Sequence, residues 1–198
     1  MFRYLAALIL VAALAASSSS GDARVVQPVA DPAAAAGRRL LFGSIGCNEC
    51  VAICQQVHYT TLCATMTTLP GVTTPLQLLD TALRITATKA AMTEVKLDQA
   101  MKLASGMGNA MSSSLESCKE SYASLVDSLQ TTRNTLKSDG SNADLMSELS
   151  AAGTYSTDCE DIFDERPELQ SPIPGAQRHV SRLVSNCLDL AATIKQQP

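Results

Sequence analysis

Tryptophan is absent from this sequence, and only three Phe and four Tyr are present. A sugar-stacking surface or an aromatic platform for single-stranded nucleic acid therefore has no material to work with. Histidine is nearly as scarce. The two copies, His58 and His179, stand in no motif that would present a nucleophile or a metal ion. No Gly-rich phosphate loop, His-x-x-x-His pair or nucleophile-elbow sequence occurs, so the sequence offers no catalytic residues and calls for no cofactor. Basic excess is missing too. Beyond Ser44 the acidic side chains outnumber Lys and Arg by 17 to 11, which disfavours nucleic acid and favours a basic partner.

Long apolar runs are confined to the N-terminus. Met1-Phe2-Arg3-Tyr4 carries one positive charge and leads into Leu5 to Ala16, twelve uncharged, almost wholly aliphatic residues. This is the pattern of a secretory signal peptide over 1–21, with cleavage near Ala13-Leu14-Ala15 or a few residues later. A membrane span needs about 20 apolar residues, and no other stretch approaches that. Residues 22–43 hold Pro28, Pro32, Gly37 and Arg38-Arg39 with no helical or strand period, and read as a flexible leader. The mature chain is expected to be extracellular, in the apoplast or cell wall with the vacuole as alternative, and without a membrane anchor after signal cleavage.

What is abundant is Leu, Ala, Met and Ser, the composition of helices. From Cys118 the apolar or small positions run Tyr122, Leu125, Leu129, Thr132, Leu136, then, past Ser138-Asp139-Gly140-Ser141-Asn142, Leu145, Leu149, Ala152, Ser156, Cys159, Phe163. Steps of four and three mark one face of a packed helix. The breaker between the two runs is long enough only for a tight reversal, so two antiparallel helices lie side by side. Cys118 and Cys159 are equidistant from that turn and should meet as a disulfide.

The same rhythm predicts a helix over 75–105, with Pro75 in its first turn and a break at Ser105 to Asn109. Further helices are expected over about 110–137, 142–164 and 175–195. The fold class is all-α: an up-and-down four-helix bundle over 75–198, preceded by a short disulfide-stapled α-hairpin over 44–74, together one domain over 44–198.

Seven cysteines suit an oxidising compartment. Cys54 and Cys63 are close enough to staple the hairpin, bending near His58 to Thr60. In the loop-entropy model this bridge contributes roughly 2.5–3 kcal/mol and Cys118–Cys159 roughly 4 kcal/mol. Cys47, Cys50 and Cys187 remain as unpaired or extra cysteines. An odd count requires at least one free thiol or intermolecular bond. Cys187 falls on the core face of the last helix, where it is expected to act as a small hydrophobe opposite Gly153. The cluster Cys47, Cys50, Cys54, His58, Cys63 has ligand types that suit zinc, but its spacing is not a strong zinc signature and secretion argues against a metal.

The hairpin Cys54-x8-Cys63, the pair Cys118-x-x-x-Tyr122, the run Leu149-Ser-Ala-Ala-x-Thr154 followed by Asp158-Cys-Glu-Asp-x-Phe163, and Val184-Ser-Asn-x-Leu188 come in one order over about residues 45–198. Together they resemble plant invertase and pectin methylesterase inhibitors. The resemblance implies a bundle with a hairpin extension, two disulfides, and a non-catalytic protein that binds a cell-wall enzyme one to one and covers its substrate cleft. The target is a pectin methylesterase or an acid invertase. Invertase-directed members typically carry a Pro-Lys-Phe element in the turn occupied here by Ser138 to Ala143, and its absence favours the methylesterase branch. Glu120, Asp127 and Asp161, with Asp158 beside them, would then meet basic residues of the enzyme; otherwise they solvate the bundle. Cys47, Cys50, Cys187 and Gly153 depart from the pattern, leaving room for a third disulfide, a linked dimer or a looser third bundle helix. A secreted bundle that binds a small apolar ligand in its core is the reading from another class.

Overall fold

A computed structural model describes residues 47–195, apart from 105 and 107. The signal-peptide and leader segments of the sequence reading lie outside the described residues. Six helices follow in order, and no strand occurs among the described residues: α1 Asn48–Cys54, α2 Thr60–Thr67, α3 Pro75–Ala104, α4 Asn109–Lys137, α5 Asn142–Asp164 and α6 Pro174–Lys195. The all-α bundle with an N-terminal hairpin is the fold that the spacing predicts.

The chain marks its own helix boundaries. Before α3, Thr74 Oγ1 accepts from the Gln77 amide at 3.3 Å while Gln77 Oε1 accepts from the Thr73 and Thr74 amides at 2.9 and 3.2 Å. This is a capping box with Pro75 at the first helical position, where its missing N–H costs nothing. Between α3 and α4, Gly108 takes φ +99°, a left-handed backbone that a β-carbon would strain, and the bundle turns there.

The four long helices form a ring in which α3 packs on α4, α4 on α5, α5 on α6 and α6 back on α3. Leu79, Leu83 and Leu97 of α3, Leu115, Leu125 and Leu129 of α4, Leu145 and Leu149 of α5, and Leu183 and Leu190 of α6 are buried in the centre. Small side chains share the seams: Ala82, Ala90, Thr86, Thr93, Ala152 and Ser156 are buried, so the helices approach closely. The threonines at these positions keep their hydroxyls satisfied inside their own helix. Thr86, Thr93 and Thr132 donate to the carbonyls of Ala82, Lys89 and Ser128 at 2.7–2.9 Å. Outside the core, Arg133 bridges α4 to α3 with a two-pronged contact to Asp80 at 2.9 and 3.1 Å. Lys119 reaches Asp98 at 2.7 Å across the same seam.

The hairpin is pinned to the bundle by two side chains from α6. Buried Asn186 accepts from the Tyr59 amide at 3.1 Å and donates to the Tyr59 carbonyl at 3.0 Å. Asp189 accepts from the His58 amide at 2.8 Å. The bend of the hairpin, having no helical partners for these groups, finds them one turn apart on α6.

All three disulfides are intramolecular. Cys54 pairs with Cys63 and Cys118 with Cys159. Cys47 and Cys50, which the sequence leaves as extras, pair with each other. Three residues apart at the start of α1, their Cα atoms are 5.0 Å apart, within the reach of a bridge. Cys47 Sγ also caps α1 by accepting from the Cys50 amide at 3.0 Å. The four hairpin cysteines are thereby consumed as disulfides, which removes the thiolates a zinc ion would require.

Cys187 is the free cysteine and is fully buried. Burial pushes its thiol up to about 12, against the pull of a hydrogen bond with Thr86, whose Oγ1 lies 3.4 Å away. Cys187 thus faces α3, and the residue that meets Gly153 is its neighbour Leu188: a β-carbon on Gly153 would sit 3.6 Å from Leu188 Cδ1. Neighbouring residues point about 100° apart around a helix, so the level reached by reflection about Gln170 does not by itself choose which of the two meets Gly153. Since 3.6 Å is ordinary contact, Gly153→Ala should fit without rearrangement. It is expected to raise unfolding free energy by about 0.5–1 kcal/mol, the helix-interior penalty of glycine, measured by urea unfolding.

Candidate functional site

The pair α4–α5 is closed at both ends. At one end the reversal is a hydrogen-bonded device: the Ser138 amide donates to the Asn134 carbonyl at 3.0 Å and the Gly140 amide to the Thr135 carbonyl at 2.9 Å. Asp139 supplies the left-handed residue, φ +51°, as in a Schellman ending. Ser141 then caps α5, accepting from the Asp144 amide at 3.1 Å and donating to the Asp144 carboxylate at 2.7 Å. At the other end the Cys118–Cys159 bridge holds the helices with Cα atoms 4.6 Å apart.

Gly140 is required for close approach rather than for its φ. A β-carbon there would collide with Thr135 Cγ2 and stand 3.0 Å from the Thr135 carbonyl oxygen. Thr135 cannot simply swing away, because its hydroxyl donates to Glu148 Oε1 on α5 at 2.8 Å. Gly140→Ala is expected to cost about 1–3 kcal/mol, the range for forced overpacking, read from the midpoint of chemical unfolding.

On the outer face of this clamped pair, Glu120, Asp127 and Asp161 are exposed and Asp158 is half-buried. Three of them stand within a turn of the bridge. Glu120 lies two residues from Cys118, and Asp158 and Asp161 lie one and two residues from Cys159, so all flank the bridge. Asp127 stands apart, about two helical turns nearer the reversal. Its charge reaches across to α3. Burial holds the Glu94 carboxyl above the usual carboxylate range, Lys119 opposes this, and Asp98 and Asp127 add to the rise.

Between the two helices runs a shallow polar groove of about 440 Å³, lined by Ser124, Asp127, Ser128 and Thr131 from α4 and by Ser147, Glu148, Ala151 and Tyr155 from α5. Its floor is sewn together: Ser128 Oγ donates to the Glu148 carbonyl at 2.8 Å, beside the Thr135 to Glu148 bond. Sequence reasoning missed Ser128, Glu148 and Tyr155. The signal was available, since Ser128 and Glu148 are equidistant from Ser138 just as the two cysteines are nearly so. The acidic run continues past Asp161 with Asp164, Glu165 and Glu168, all exposed at and beyond the end of α5. Glu160 is half-buried beside them. With burial as the larger cause, its charge raises the Tyr122 hydroxyl above the ordinary tyrosine range. Such a surface offers a polar, negatively charged wall held by the reversal and the bridge.

No group of His, Cys, Asp or Glu among the described residues is arranged to hold a metal ion. No described helix is long and apolar enough to cross a membrane.

Comparison with known proteins places this wall in context. The family model for plant invertase/pectin methylesterase inhibitors matches residues 48–190. Among solved structures the chain is similar to mutant form A of a pectin methylesterase inhibitor from Arabidopsis, at 19% identity and a TM-score of 0.60, covering 73% of this chain and 95% of that one. It is also similar to a pectin methylesterase inhibitor from Arabidopsis thaliana, at 20% identity and a TM-score of 0.54, covering 76% and 96%. No curated protein matches the chain. At these identities the two structures speak to the fold, and the family match supports an inhibitor role.

Proposed function

Because the chain belongs to the plant invertase/pectin methylesterase inhibitor family, we propose that it is a secreted inhibitor that binds a pectin methylesterase one to one. In this reading, residues 1–21 direct export and are removed, 22–43 are a leader, and the domain over 44–198 covers the enzyme's pectin-binding cleft with the outer faces of α4 and α5. The observation that carries the reading is the clamped helix pair with Glu120, Asp158 and Asp161 turned outward around its disulfide. A protein that acts by occupation alone gains most from a surface that is already ordered, since each side chain fixed beforehand lowers the cost of docking. Carboxylates on such a surface attract a basic rim and speed encounter, while the affinity comes from buried anchors.

The choice of enzyme rests on the turn. Ser138 to Ser141 is closed on itself by backbone and capping hydrogen bonds, and no Pro-Lys-Phe element projects from it into a pocket. The deciding experiment titrates the mature, oxidised chain against a pectin methylesterase and an acid invertase and follows the residual activity of each. Methylesterase activity should fall to completion at one equivalent with invertase untouched. Loss of invertase activity alone, or of neither, overturns the assignment.

A further inference from the structure

The ring order of the helices puts the α3–α6 seam on the side of the bundle opposite the α4–α5 face, and its charge is opposite too. Lys89 and Lys96, seven residues apart, share one face of α3. His179 and Arg182 share one face of α6. A cleft of about 250 Å³ contains Lys89, Lys96 and His179. A second, of about 510 Å³, contains His179 and Arg182 together with His58 and Tyr59 of the hairpin bend. His179 lines both clefts, and the chain's two histidines, 121 positions apart, both line the second. Neither cleft is lined by a carboxylate.

Lys89, Lys96, His179 and Arg182 are exposed, and neither the two lysines nor Arg182 makes an ion pair among the described residues. Arg182 instead lies 5.5 Å from the centre of the Tyr59 ring, and the His58 ring meets Tyr59 edge-on at 4.6 Å. Asp189, two turns along α6 from Arg182, keeps its charge and accepts from the His58 amide. On a chain of net charge −4, a trough along one seam with three cations that make no ion pair is out of keeping with the rest of the surface. Its shape and sign fit a linear polyanion.

We propose that this trough is a second binding site, for a chain of uronic-acid carboxylates. The identity of the polyanion rests on the function proposed above: ester hydrolysis by a pectin methylesterase exposes such carboxylates along the polysaccharide. The trough and the α4–α5 face lie on opposite sides of the bundle, so the chain holds the enzyme on one side and its de-esterified product on the other.

His179 gives the site a distinguishing signature. Burial, then Lys89, Arg182 and Lys96, hold its imidazole below the usual histidine range. A polyanion that neutralises those three cations raises it again, so binding takes up a proton and strengthens as pH falls. Reciprocity makes these one effect.

The test measures binding of the full mature chain to de-esterified polygalacturonate at low salt, at pH 5.5 and 7.5, with fully methyl-esterified pectin as the neutral control. The expected result is binding to the de-esterified polymer alone, tighter at pH 5.5, with the His179 imidazole titrating at higher pH in the complex by NMR. Lys89→Glu/Lys96→Glu/Arg182→Glu should bind at least about tenfold more weakly, while melting as the parent does and inhibiting the enzyme as well as it does. Equal binding of the esterified polymer, undiminished binding by the triple variant, or an unmoved His179 at saturation overturns the site. Polyuronate binding by a chain that inhibits no methylesterase leaves the site standing and removes the proposed function.

Discussion

Replacing Cys118 and Cys159 together by alanine is expected to lower the unfolding free energy by about 4 kcal/mol from chain entropy alone. The two residues close a loop of sequence separation 41, so the reduced, unfolded chain regains far more freedom than it does on opening Cys54–Cys63, separated by 9, or Cys47–Cys50, separated by 3. The native state also loses a contact. Gln177, 2% exposed, donates to Cys159 Sγ at 3.1 Å and accepts from Ser171 at 2.6 Å. With alanine at 159 the Gln177 Nε2 donor loses its partner, an added cost of about 1–3 kcal/mol. Cys118→Ala/Cys159→Ser keeps an acceptor there and should recover part of the second loss and none of the first. Guanidinium unfolding of the two double variants separates the terms. Equal stability of both would show that Gln177 contributes nothing, and a total loss below about 1 kcal/mol would refute the clamp, since a native bridge in a small secreted domain typically contributes 2–5 kcal/mol.

The second large effect is on inhibition. Glu120→Lys/Asp161→Lys should weaken inhibition of the methylesterase by about 10–100-fold at low ionic strength, chiefly through slower association. Both side chains are exposed on helix faces turned from the core, so the melting temperature should be unchanged. The deficit should shrink as salt is raised toward 1 M, where charges are screened within about 3 Å. Asp127→Lys, two turns away from the bridge, should do less. Undiminished inhibition by the double variant at low salt would sink the assignment of this face.

Much of this architecture is legible in the sequence because helix packing is periodic and the turns are short. The four-three steps bring Leu125, Leu129, Leu145 and Leu149 into the centre, where all are fully buried. Features set by irregular backbone are harder to read. The pairing of Cys47 with Cys50 depends on where α1 begins, which no period announces. The rotation of α6 about its axis is equally hidden: after the turns past Asp164, where the Arg166 amide donates to Phe163 and the Leu169 amide to Arg166, Leu188 meets Gly153 while Cys187 meets Thr86 of α3. Asn186 sits in a recognisable motif, but its partners are backbone atoms of Tyr59, 127 residues away, and a backbone atom leaves no mark in the side-chain pattern. The α3–α6 trough escaped for a related reason. Lys89, Lys96, His179 and Arg182 look like scattered solvated charge until the ring closes and sets α3 beside α6.

Cys187 turns the folded chain into its own unfolding gauge. With three disulfides formed, it is the single thiol an alkylating reagent has to find among the described residues, and it is walled in and protonated at any physiological pH. Modification therefore waits for the α3–α6 seam to part, and the labelling rate under native conditions reports how often it does. Because Thr86 and Cys187 meet on that seam, the same rate should slow when a polymer laid along the trough holds the two helices together.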